Sequence, residues 1–348
     1  MISRRLFVKQ LLALITLVTG GVAASRSLLR PEPEQAQPVA AESAPADKDA
    51  QQAANQGEGA LLASFFLLSD IHISVADTSI GDKLDLALKD VTDFESPVDT
   101  IIFGGDLTDF ARDIEYKQLR TILNRYKLPP YYANMGNHDY YDIWLTDEGA
   151  FSTETMPNGK TDAMARERFI QFFNYKGKPY TDVWVNGVHF ILLSQELYVQ
   201  EKKDVGEGAW YSDEQLAWLE ETLKAHQDGK PALIFIHQPL PAPGTDGGTH
   251  RVIRAKRLRA ILEPYRNVFV FSGHTHRNFR STNQYNTENT FHWFSNASVG
   301  KTRSAGDGKP AVQGMYVQVY ADRVVVRGRE FSDRSWIASA SWTVPLKA

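Results

Sequence analysis

Short apolar runs alternate with longer amphipathic stretches from residue 61 onward, and each kind of run predicts one type of element. The short runs predict buried strands at residues 63–68, 100–103, 131–134, 189–193, 233–236, 268–271, 315–320 and 323–327. The amphipathic stretches predict helices at residues 83–94, 114–126 and 213–225, the last with Ser212 as its N-cap. This alternation predicts an α/β core.

Five of these strands are followed directly by polar residues of the types that bind metals in proteins. The motifs are Asp70-Ile71-His72, Gly104-Gly105-Asp106, Gly136-Asn137-His138-Asp139, His237, and Gly273-His274-Thr275-His276. Open α/β sheets place their sites at the carboxyl ends of strands. Chance would scatter such residues through helices and loops, so we expect the five segments to form one site.

Composition narrows the chemistry of this site. The chain of 348 residues contains no cysteine, which excludes disulfides, thiolate catalysis and sulfur-bound zinc. A metal ion would therefore be held by Asp, Asn and His side chains. The net charge of -4 gives no support for binding to nucleic acid or to an anionic membrane.

The first 60 residues have a different composition from the rest. Ser3-Arg4-Arg5-Leu6-Phe7-Val8-Lys9 precedes an apolar run at residues 11–24, which is short for a membrane span of about 20 residues. This pattern predicts a signal peptide over residues 1–24, with an uncleaved anchor as an alternative. Residues 25–60 are rich in Ala, Pro, Gln and Glu and predict a disordered linker. The catalytic domain is then expected at residues 61–348.

The paired arginines Arg4 and Arg5 are similar to those of the twin-arginine export signal, although an ordinary secretory signal is an alternative. This similarity implies a bacterial protein that is exported already folded, to the periplasm or outside the cell. The twin-arginine export machinery would be a transient partner. No stable membrane partner is expected unless the signal remains uncleaved.

In their order along the chain, the five motifs resemble those of the calcineurin-like metallophosphoesterase superfamily and span residues 70–276. The resemblance implies an α/β fold with a central β-sandwich of mixed sheets flanked by helices. It implies a metal-dependent hydrolase of phosphate monoesters or diesters, in which a hydroxide bridging two metal ions attacks phosphorus in line. The expected cofactors are two divalent or trivalent ions, Fe, Mn or Zn, which suit oxygen and imidazole ligands.

The resemblance also assigns the metal ligands residue by residue. The first metal would be bound by Asp70, His72 and His276. The second would be bound by Asn137, His237 and His274, and Asp106 would bridge the two.

Two further residues receive catalytic roles from the resemblance. His138 would face the phosphate and either stabilise the transition state or protonate the leaving oxygen. Asp109 would orient His138 and raise its pKa through opposite charge. An additional interpretation is that Asp109 is the N-cap of the helix that follows it.

Two departures from the superfamily patterns narrow the subfamily. Phe110 stands where the protein Ser/Thr phosphatases have Arg, which argues against phosphoprotein phosphatase activity. His72 is present and Asp109 stands where purple acid phosphatases have Tyr, which argues against a purple charge-transfer site. What remains resembles the branch of cyclic-nucleotide phosphodiesterase-like and generic phosphoesterases.

Two alternatives to a small-substrate phosphoesterase stay open. A nuclease of the same superfamily would use the same ligands and would need an extended basic groove. A non-catalytic scaffold with the same fold would have lost ligands, whereas all seven proposed ligands and His138 are present. The expected partner is therefore a small phosphate ester, with nucleic acid disfavoured.

Some features outside the motifs have two interpretations. His250 lies in a Gly-rich loop and is either an ordinary loop residue or a substrate contact. The basic run from Arg251 to Arg259 predicts an amphipathic helix with a solvated basic face, and a nucleic-acid patch is the alternative. Tyr140, Tyr141 and Trp144 either pack as a lid edge or stack on the substrate. Residues 144–179 are expected to cap the site.

Overall fold

The structure, a computed structural model, describes residues 59–226, 228–287, 290–306, 308 and 311–347. The predicted signal peptide, and all but the last two residues of the predicted linker, lie outside these residues. None of the helices in the described ranges has both the length and the apolar character needed to span a membrane.

Twelve strands and five α-helices alternate along the described chain. The strands are β1 Leu61–Leu68, β2 Thr100–Gly104, β3 Tyr131–Asn134, β4 Thr181–Val185, β5 Val188–Leu192, β6 Ala232–Phe235, β7 Val268–Ser272, β8 Tyr285–Thr287, β9 Phe291–Ser295, β10 Gln313–Tyr320, β11 Arg323–Glu330 and β12 Ser335–Pro345. The α-helices are α1 Ser79–Thr92, α2 Asp113–Leu123, α3 Asp162–Phe173, α4 Asp213–Leu223 and α5 Ala255–Leu262, and 3-10 helices lie at His138–Trp144 and Lys224–His226.

The strands form two six-stranded sheets, in the orders β12-β11-β10-β1-β2-β3 and β4-β5-β6-β7-β9-β8. In the first sheet, β1, β2 and β3 are parallel, and the strands on the other side of β1 are antiparallel. In the second sheet, β5, β6, β7 and β9 are parallel, and the two edge strands are antiparallel. Both sheets are therefore mixed, as the resemblance implied.

Side chains of β1 alternate between two cores because successive residues of a strand point to opposite faces. Phe65 packs between the two sheets, with its ring centroid 5.1 to 5.9 Å from those of Phe190, Phe235 and Phe271 in the second sheet, in edge-to-face contacts. Phe66 faces the other way, into the core that α1 and α2 form on the first sheet. Helices α4 and α5 cover the outer face of the second sheet. The predicted sandwich flanked by helices is confirmed.

Several predicted boundaries differ from the structure. Helix α2 begins at Asp113 with Arg112 as its N-cap, so the interpretation of Asp109 as that N-cap is wrong. Helix α5 begins at Ala255, later than the basic run suggested. The sequence analysis left out four strands, β4, β8, β9 and β12, and helix α3, which lies inside the segment expected to cap the site.

Candidate metal centre

The segments that follow β1, β2 and β3 in one sheet meet those that follow β6 and β7 in the other. Metal-binding atoms from both sheets lie within 4.8 Å of one another in two groups that share Asp106. A buried hydrogen bond from Asn134 Nδ2 to the carbonyl oxygen of Leu193, 3.0 Å long, joins the two sheets beside this point. The carboxyl ends of parallel strands thus converge on one cluster, as the strand pattern predicted.

The first group contains Asp70, His72, Asp106 and His276. The Nε2 atoms of His72 and His276 are 3.0 Å apart, and His276 Nε2 is 3.1 Å from Asp70 Oδ1. His72 Nε2 lies 3.8 Å from Asp106 Oδ2. The structure therefore brings together the three residues that the resemblance assigns to the first metal, with Asp106 beside them.

The second group contains Asp106, His237 and His274. His237 Nε2 lies 3.1 Å from Asp106 Oδ2, and His274 Nδ1 lies 3.0 Å from Asn137 Oδ1. These are the residues that the resemblance assigns to the second metal. Because Asp106 Oδ2 approaches both groups, it lies where a bridging carboxylate is expected.

The contacts of His237 test whether these residues fit metal ions. Its Nδ1 lies 2.8 Å from the carbonyl oxygen of Gly104, which accepts the ring proton. Its Nε2 is buried, faces Asp106 Oδ2 and makes no hydrogen bond within the described residues. Ligand atoms bound to one ion at about 2.1 Å and at right angles lie about 3 Å apart, which matches the shorter separations, 3.0 to 3.1 Å, in each group. The donor set therefore fits two ions.

Five of the seven proposed ligands have left-handed backbone conformations. The φ angles are 54° at Asp70, 55° at His72, 51° at Asp106, 68° at His274 and 53° at His276. A non-glycine residue in this region costs of order 1–3 kcal/mol and persists only where its surroundings enforce it. Such strain clusters at functional sites, and here it turns each side chain inward directly after its strand.

Glycines of the motifs make room for the ligands. A Cβ atom on Gly136 would lie 2.2 Å from Asp106 Oδ1 and 2.6 Å from His237 Cδ2. A Cβ atom on Gly273 would lie 2.5 Å from Asp70 Oδ2. The backbone at these positions therefore passes so close to the ligand side chains that a larger residue would displace them.

His138 lies on the open side of the cluster, and Asp109 contacts it in an unexpected way. The His138 ring nitrogen Nδ1 is 2.9 Å from the backbone carbonyl oxygen of Asp109 and 3.6 Å from its carboxylate. That carboxylate lies 2.5 Å from Lys301 Nζ and 3.3 Å from His72 Nδ1. The backbone of Asp109 is therefore its closest contact to the His138 ring, while its side chain contacts Lys301 and the proposed ligand His72.

The electrostatics of His237 differ from those of the other ligand histidines. Burial lowers the pKa values of His72 and His274, so both imidazoles are neutral and ready to bind a cation. Burial also acts to lower the pKa of His237, but the carboxylates of Asp106 and Asp70 outweigh it and raise that pKa to about 9. In the metal-free protein His237 therefore carries a proton at neutral pH.

Metal binding must displace this proton, so we expect the apparent affinity for Mn²⁺ to rise with pH. The affinity rises with pH because the proton is bound to His237 below pH 9 and its removal becomes easier as pH approaches 9. With one proton released, affinity should rise about tenfold per pH unit between about pH 6 and 8. Calorimetric titrations of chelator-treated protein in that range measure this slope, and a flat profile would contradict it.

Glu207 is a buried residue beside the centre that the sequence analysis did not identify. It is only 2% exposed, and its Oε2 accepts hydrogen bonds from Asn137 Nδ2 at 2.6 Å and from the Tyr141 hydroxyl at 2.5 Å. Burial raises the pKa of its carboxyl group. The residue follows no predicted strand, and its only local signal is its place between two glycines, Gly206 and Gly208.

The aromatic residues after the third motif are packed inside the protein. Tyr140, Tyr141 and Trp144 are 0%, 6% and 4% exposed, so they are not available to stack on a substrate. The Tyr141 ring instead stacks on the His138 ring, with centroids 4.0 Å apart and planes inclined by 27°. Packing is therefore the correct one of the two interpretations.

Basic residues lie around the ligand loops. The rings of His250 and the proposed ligand His274 are 6.0 Å apart, so His250 lies beside the centre. Arg277 directly follows the ligand His276, and the backbone N–H of Arg303 donates to the carbonyl oxygen of His276 at 2.8 Å. Burial and then the nearby charge of Arg277 lower the pKa of Arg251. We call Arg251, Arg277 and Arg303 the rim arginines.

Basic residues at the start of α5 form ion pairs at the protein surface. Arg254, Lys256 and Arg257 form ion pairs with Asp213, Asp246 and Glu220, respectively. Arg259 is 9% exposed and donates to the carbonyl oxygen of Pro241. The predicted solvated basic face is confirmed at Lys256 and Arg257, whose side chains are 60% and 53% exposed, whereas Arg259 is buried. The acidic partners also neutralise the charge that a nucleic-acid patch would need.

A β-sandwich that carries two adjoining sets of metal-type ligands at its strand ends defines a candidate metallohydrolase. The family model for calcineurin-like phosphoesterases matches residues 63–278, which is more than half of the chain. The chain belongs to this family, and the protein is therefore a phosphoesterase and a hydrolase.

Individual proteins with similar sequence or structure agree with this assignment. A probable glycerophosphodiester phosphodiesterase, GpdQ, of Arcobacter nitrofigilis is 24% identical over 222 residues, which are 60% of this chain and 70% of that protein. A dimetal phosphatase from Danio rerio has a TM-score of 0.59 and 14% identity, with 83% of this chain and 100% of that chain covered. Purple acid phosphatase PPD1 of yellow lupin has a TM-score of 0.55 and 15% identity, with 83% and 54% covered. At these identities the two structures show a shared fold.

Proposed function

We propose that this protein is a binuclear metal-dependent hydrolase of small phosphodiesters. The observation that carries the proposal is the shared carboxylate of Asp106, which lies 3.1 Å from His237 Nε2 in one ligand set and 3.8 Å from His72 Nε2 in the other. Two ions held there would supply an activated water and neutralise charge on the phosphate. Fe, Mn and Zn suit this mixture of oxygen and imidazole ligands.

His138 supplies the proton in this proposal. Its backbone N–H donates to Asp106 Oδ1 at 2.9 Å, and its Nδ1 contacts the carbonyl oxygen of Asp109, so both its backbone and its ring are held in place. The ring is 20% exposed, whereas that of His72 is fully buried. His138 is thus accessible to a substrate, and its Nε2 is the atom that would protonate the leaving oxygen.

The rim arginines support binding of an anionic substrate. Within the described residues, the side chains of Arg251, Arg277 and Arg303 make no hydrogen bond or ion pair, whereas the other described arginines have partners. Guanidinium groups without an acidic partner, on residues that adjoin the ligand loops, are suited to phosphate oxygens. Ion pairs neutralise the basic residues of α5. The positive charge of the rim arginines is therefore not continued along α5, which favours a small substrate over a polymer.

The name of the Arcobacter nitrofigilis relative supports a diester over a monoester. We therefore expect the full-length protein with Mn²⁺ to hydrolyse bis(p-nitrophenyl) phosphate with a kcat/KM at least about tenfold above that for p-nitrophenyl phosphate. Tenfold corresponds to about 1.4 kcal/mol of extra transition-state stabilisation. Chelator-treated protein is the control and should hydrolyse neither compound.

Other outcomes of this assay separate the alternatives. A preference for the monoester would identify a phosphomonoesterase. Failure to hydrolyse either compound, with two ions bound, would favour a non-catalytic scaffold. Faster cleavage of long single-stranded DNA than of either aryl ester would favour the nuclease.

A further inference from the structure

Glu207 is a carboxylate that lies inside the protein without a cationic partner among its hydrogen-bond contacts. Its Oε2 accepts from Asn137 Nδ2 at 2.6 Å and from the Tyr141 hydroxyl at 2.5 Å. Its Oε1 accepts from the Tyr198 hydroxyl at 2.8 Å. Burying a carboxylate is costly unless hydrogen bonds satisfy it. Three donors directed at this one buried group indicate that the surrounding residues are placed to bind it.

This arrangement decides which end of the Asn137 amide faces the metal centre. Asn137 Nδ2 points at Glu207, so Asn137 Oδ1 points the other way, 3.0 Å from His274 Nδ1. An asparagine binds a metal ion through its oxygen and not through its NH₂ group. If the amide rotated by 180°, its oxygen would meet the carboxylate oxygen of Glu207, which is repulsive. Glu207 therefore favours the orientation that can bind a cation, and the longer contact from Gln238 Nε2 to Asn137 Oδ1, 3.4 Å, acts in the same direction.

The same carboxylate is connected to His138 through Tyr141. The Tyr141 hydroxyl donates to Glu207 Oε2 and lies 3.2 Å from Asn137 Nδ2, and the face of its ring stacks on His138 with centroids 4.0 Å apart. A tyrosine that is held at its hydroxyl cannot tilt freely, so its ring limits the plane of the histidine. Glu207 thus contacts both the proposed ligand Asn137 and Tyr141, the residue whose ring stacks on the proposed acid.

We propose that Glu207 is a positioning residue, which holds the Asn137 amide with its oxygen toward the second metal position and, through Tyr141, sets the ring plane of His138. This inference rests on the proposed binuclear function. It adds a residue from the segment before α4, a part of the chain that carries none of the five motifs.

The test compares Glu207→Leu with wild type in the full-length protein, using calorimetric titration with Mn²⁺ and the electron paramagnetic resonance spectrum of the loaded protein. Glu207→Leu removes the acceptor, so the amide can rotate, and affinity for the second ion should fall about 10–100-fold while the first ion stays within about threefold. The spectrum should change from that of a spin-coupled ion pair to that of a single ion at stoichiometric metal. Excess Mn²⁺ should restore part of the activity.

Two further variants separate positioning from general stability. Glu207→Gln still offers one carbonyl oxygen to Asn137, so it should lose less affinity than Glu207→Leu. Tyr198→Phe is the matched control, because it removes the hydrogen bond to Oε1, and the one that the Tyr198 hydroxyl accepts from Trp144 Nε1, but leaves both contacts of Oε2 in place. Its affinity for both ions should stay within about threefold of wild type, even where its melting temperature falls.

The outcomes distinguish this inference from the proposed function. Wild type that binds fewer than two ions would contradict the proposed function itself. Wild type that binds two ions, together with Glu207→Leu that binds both as tightly or loses both equally, would overturn only the positioning role. If Glu207→Leu does not fold, Glu207→Gln takes its place, because a neutral amide accepts the hydrogen bond of Asn137 Nδ2 more weakly than a carboxylate does. Its second-ion affinity should fall at least about threefold, and an unchanged affinity would overturn the inference.

Discussion

Asp106→Ala is expected to bind fewer than one metal ion per chain and to lose more than about 10³-fold in kcat/KM. The carboxylate lies in both ligand sets, so its removal weakens both metal positions at once. Deleting a single electrostatic contact in an active site already costs about 10²–10³-fold. Asp106 Oδ1 also accepts the backbone N–H of His138 at 2.9 Å, so the proposed acid loses an anchor as well. Metal analysis of the purified variant and steady-state kinetics on the aryl diester measure both effects.

Asp142→Ala is the matched control for this variant. Asp142 is a comparably buried carboxylate, 3% exposed, that pairs with Arg168 at 3.1 Å and belongs to neither ligand group. It should retain two ions and most of the activity, even where its melting temperature falls. If Asp106→Ala kept two ions and turned over within tenfold of wild type, Asp106 would not be the bridging ligand.

His138→Ala is expected to retain both metal ions and to lose about 10²–10⁴-fold in kcat on an alkyl phosphodiester, the range for removal of a general acid. The leaving alkoxide of such a substrate needs a proton. With a p-nitrophenyl diester the loss should be much smaller, because p-nitrophenolate leaves without protonation. The ratio of the two losses measures how much of the role of His138 is proton transfer.

His250→Ala is the control for this second variant. It removes a histidine whose ring lies 6.0 Å from that of His274, and His250 belongs to none of the groups able to hold a metal. It should change KM more than kcat. Equal losses on the alkyl and aryl diesters in His138→Ala would indicate transition-state stabilisation instead of proton donation. Loss of a metal ion in His138→Ala would show that the residue has a different role.

The sequence was most informative where several constraints fall on one short segment. At Gly136-Asn137-His138 a buried strand ends, a glycine has no room for a side chain, and two polar residues follow. Strand, bend and ligand together occur by chance far less often than any one of them. For this reason the motifs predicted which residues gather at the centre, although no contact between the two sheets could be deduced from them.

Asp109 shows why spacing alone was insufficient. Its place three residues after Asp106 predicted a carboxylate beside His138, and that carboxylate does lie 3.6 Å from His138 Nδ1. The closer contact of the His138 ring is the backbone carbonyl of Asp109, and the carboxylate also contacts Lys301. Lys301 lies 192 positions away in the sequence. A contact between such distant residues depends on how the chain returns after β9, and neither local propensity nor periodicity contains that information.

Element boundaries show the same limit at a smaller scale. The short β8 and β9 strands pair at the edge of the second sheet, and β12 pairs along β11 with a register shift. The apolar and polar residues of these strands alternate only weakly. Whether such a segment forms a strand depends on its partner strand more than on its own sequence. Helix α3 has a mixed pattern of this kind as well, with buried residues Asp162, Ala165 and Phe169.

The amino-acid sequence by itself determined the family, the α/β class, the order of the strands that end in ligands, and the identity of the proposed metal ligands. These properties depend on residue type and on spacing along the chain. Tertiary structure alone decided that the Asp109 carboxylate meets Lys301, that the rim arginines have no acidic partner among the described residues, and that Glu207 accepts a hydrogen bond from Asn137. The reason is that these contacts join residues far apart in the chain, and packing of the two sheets sets their distances.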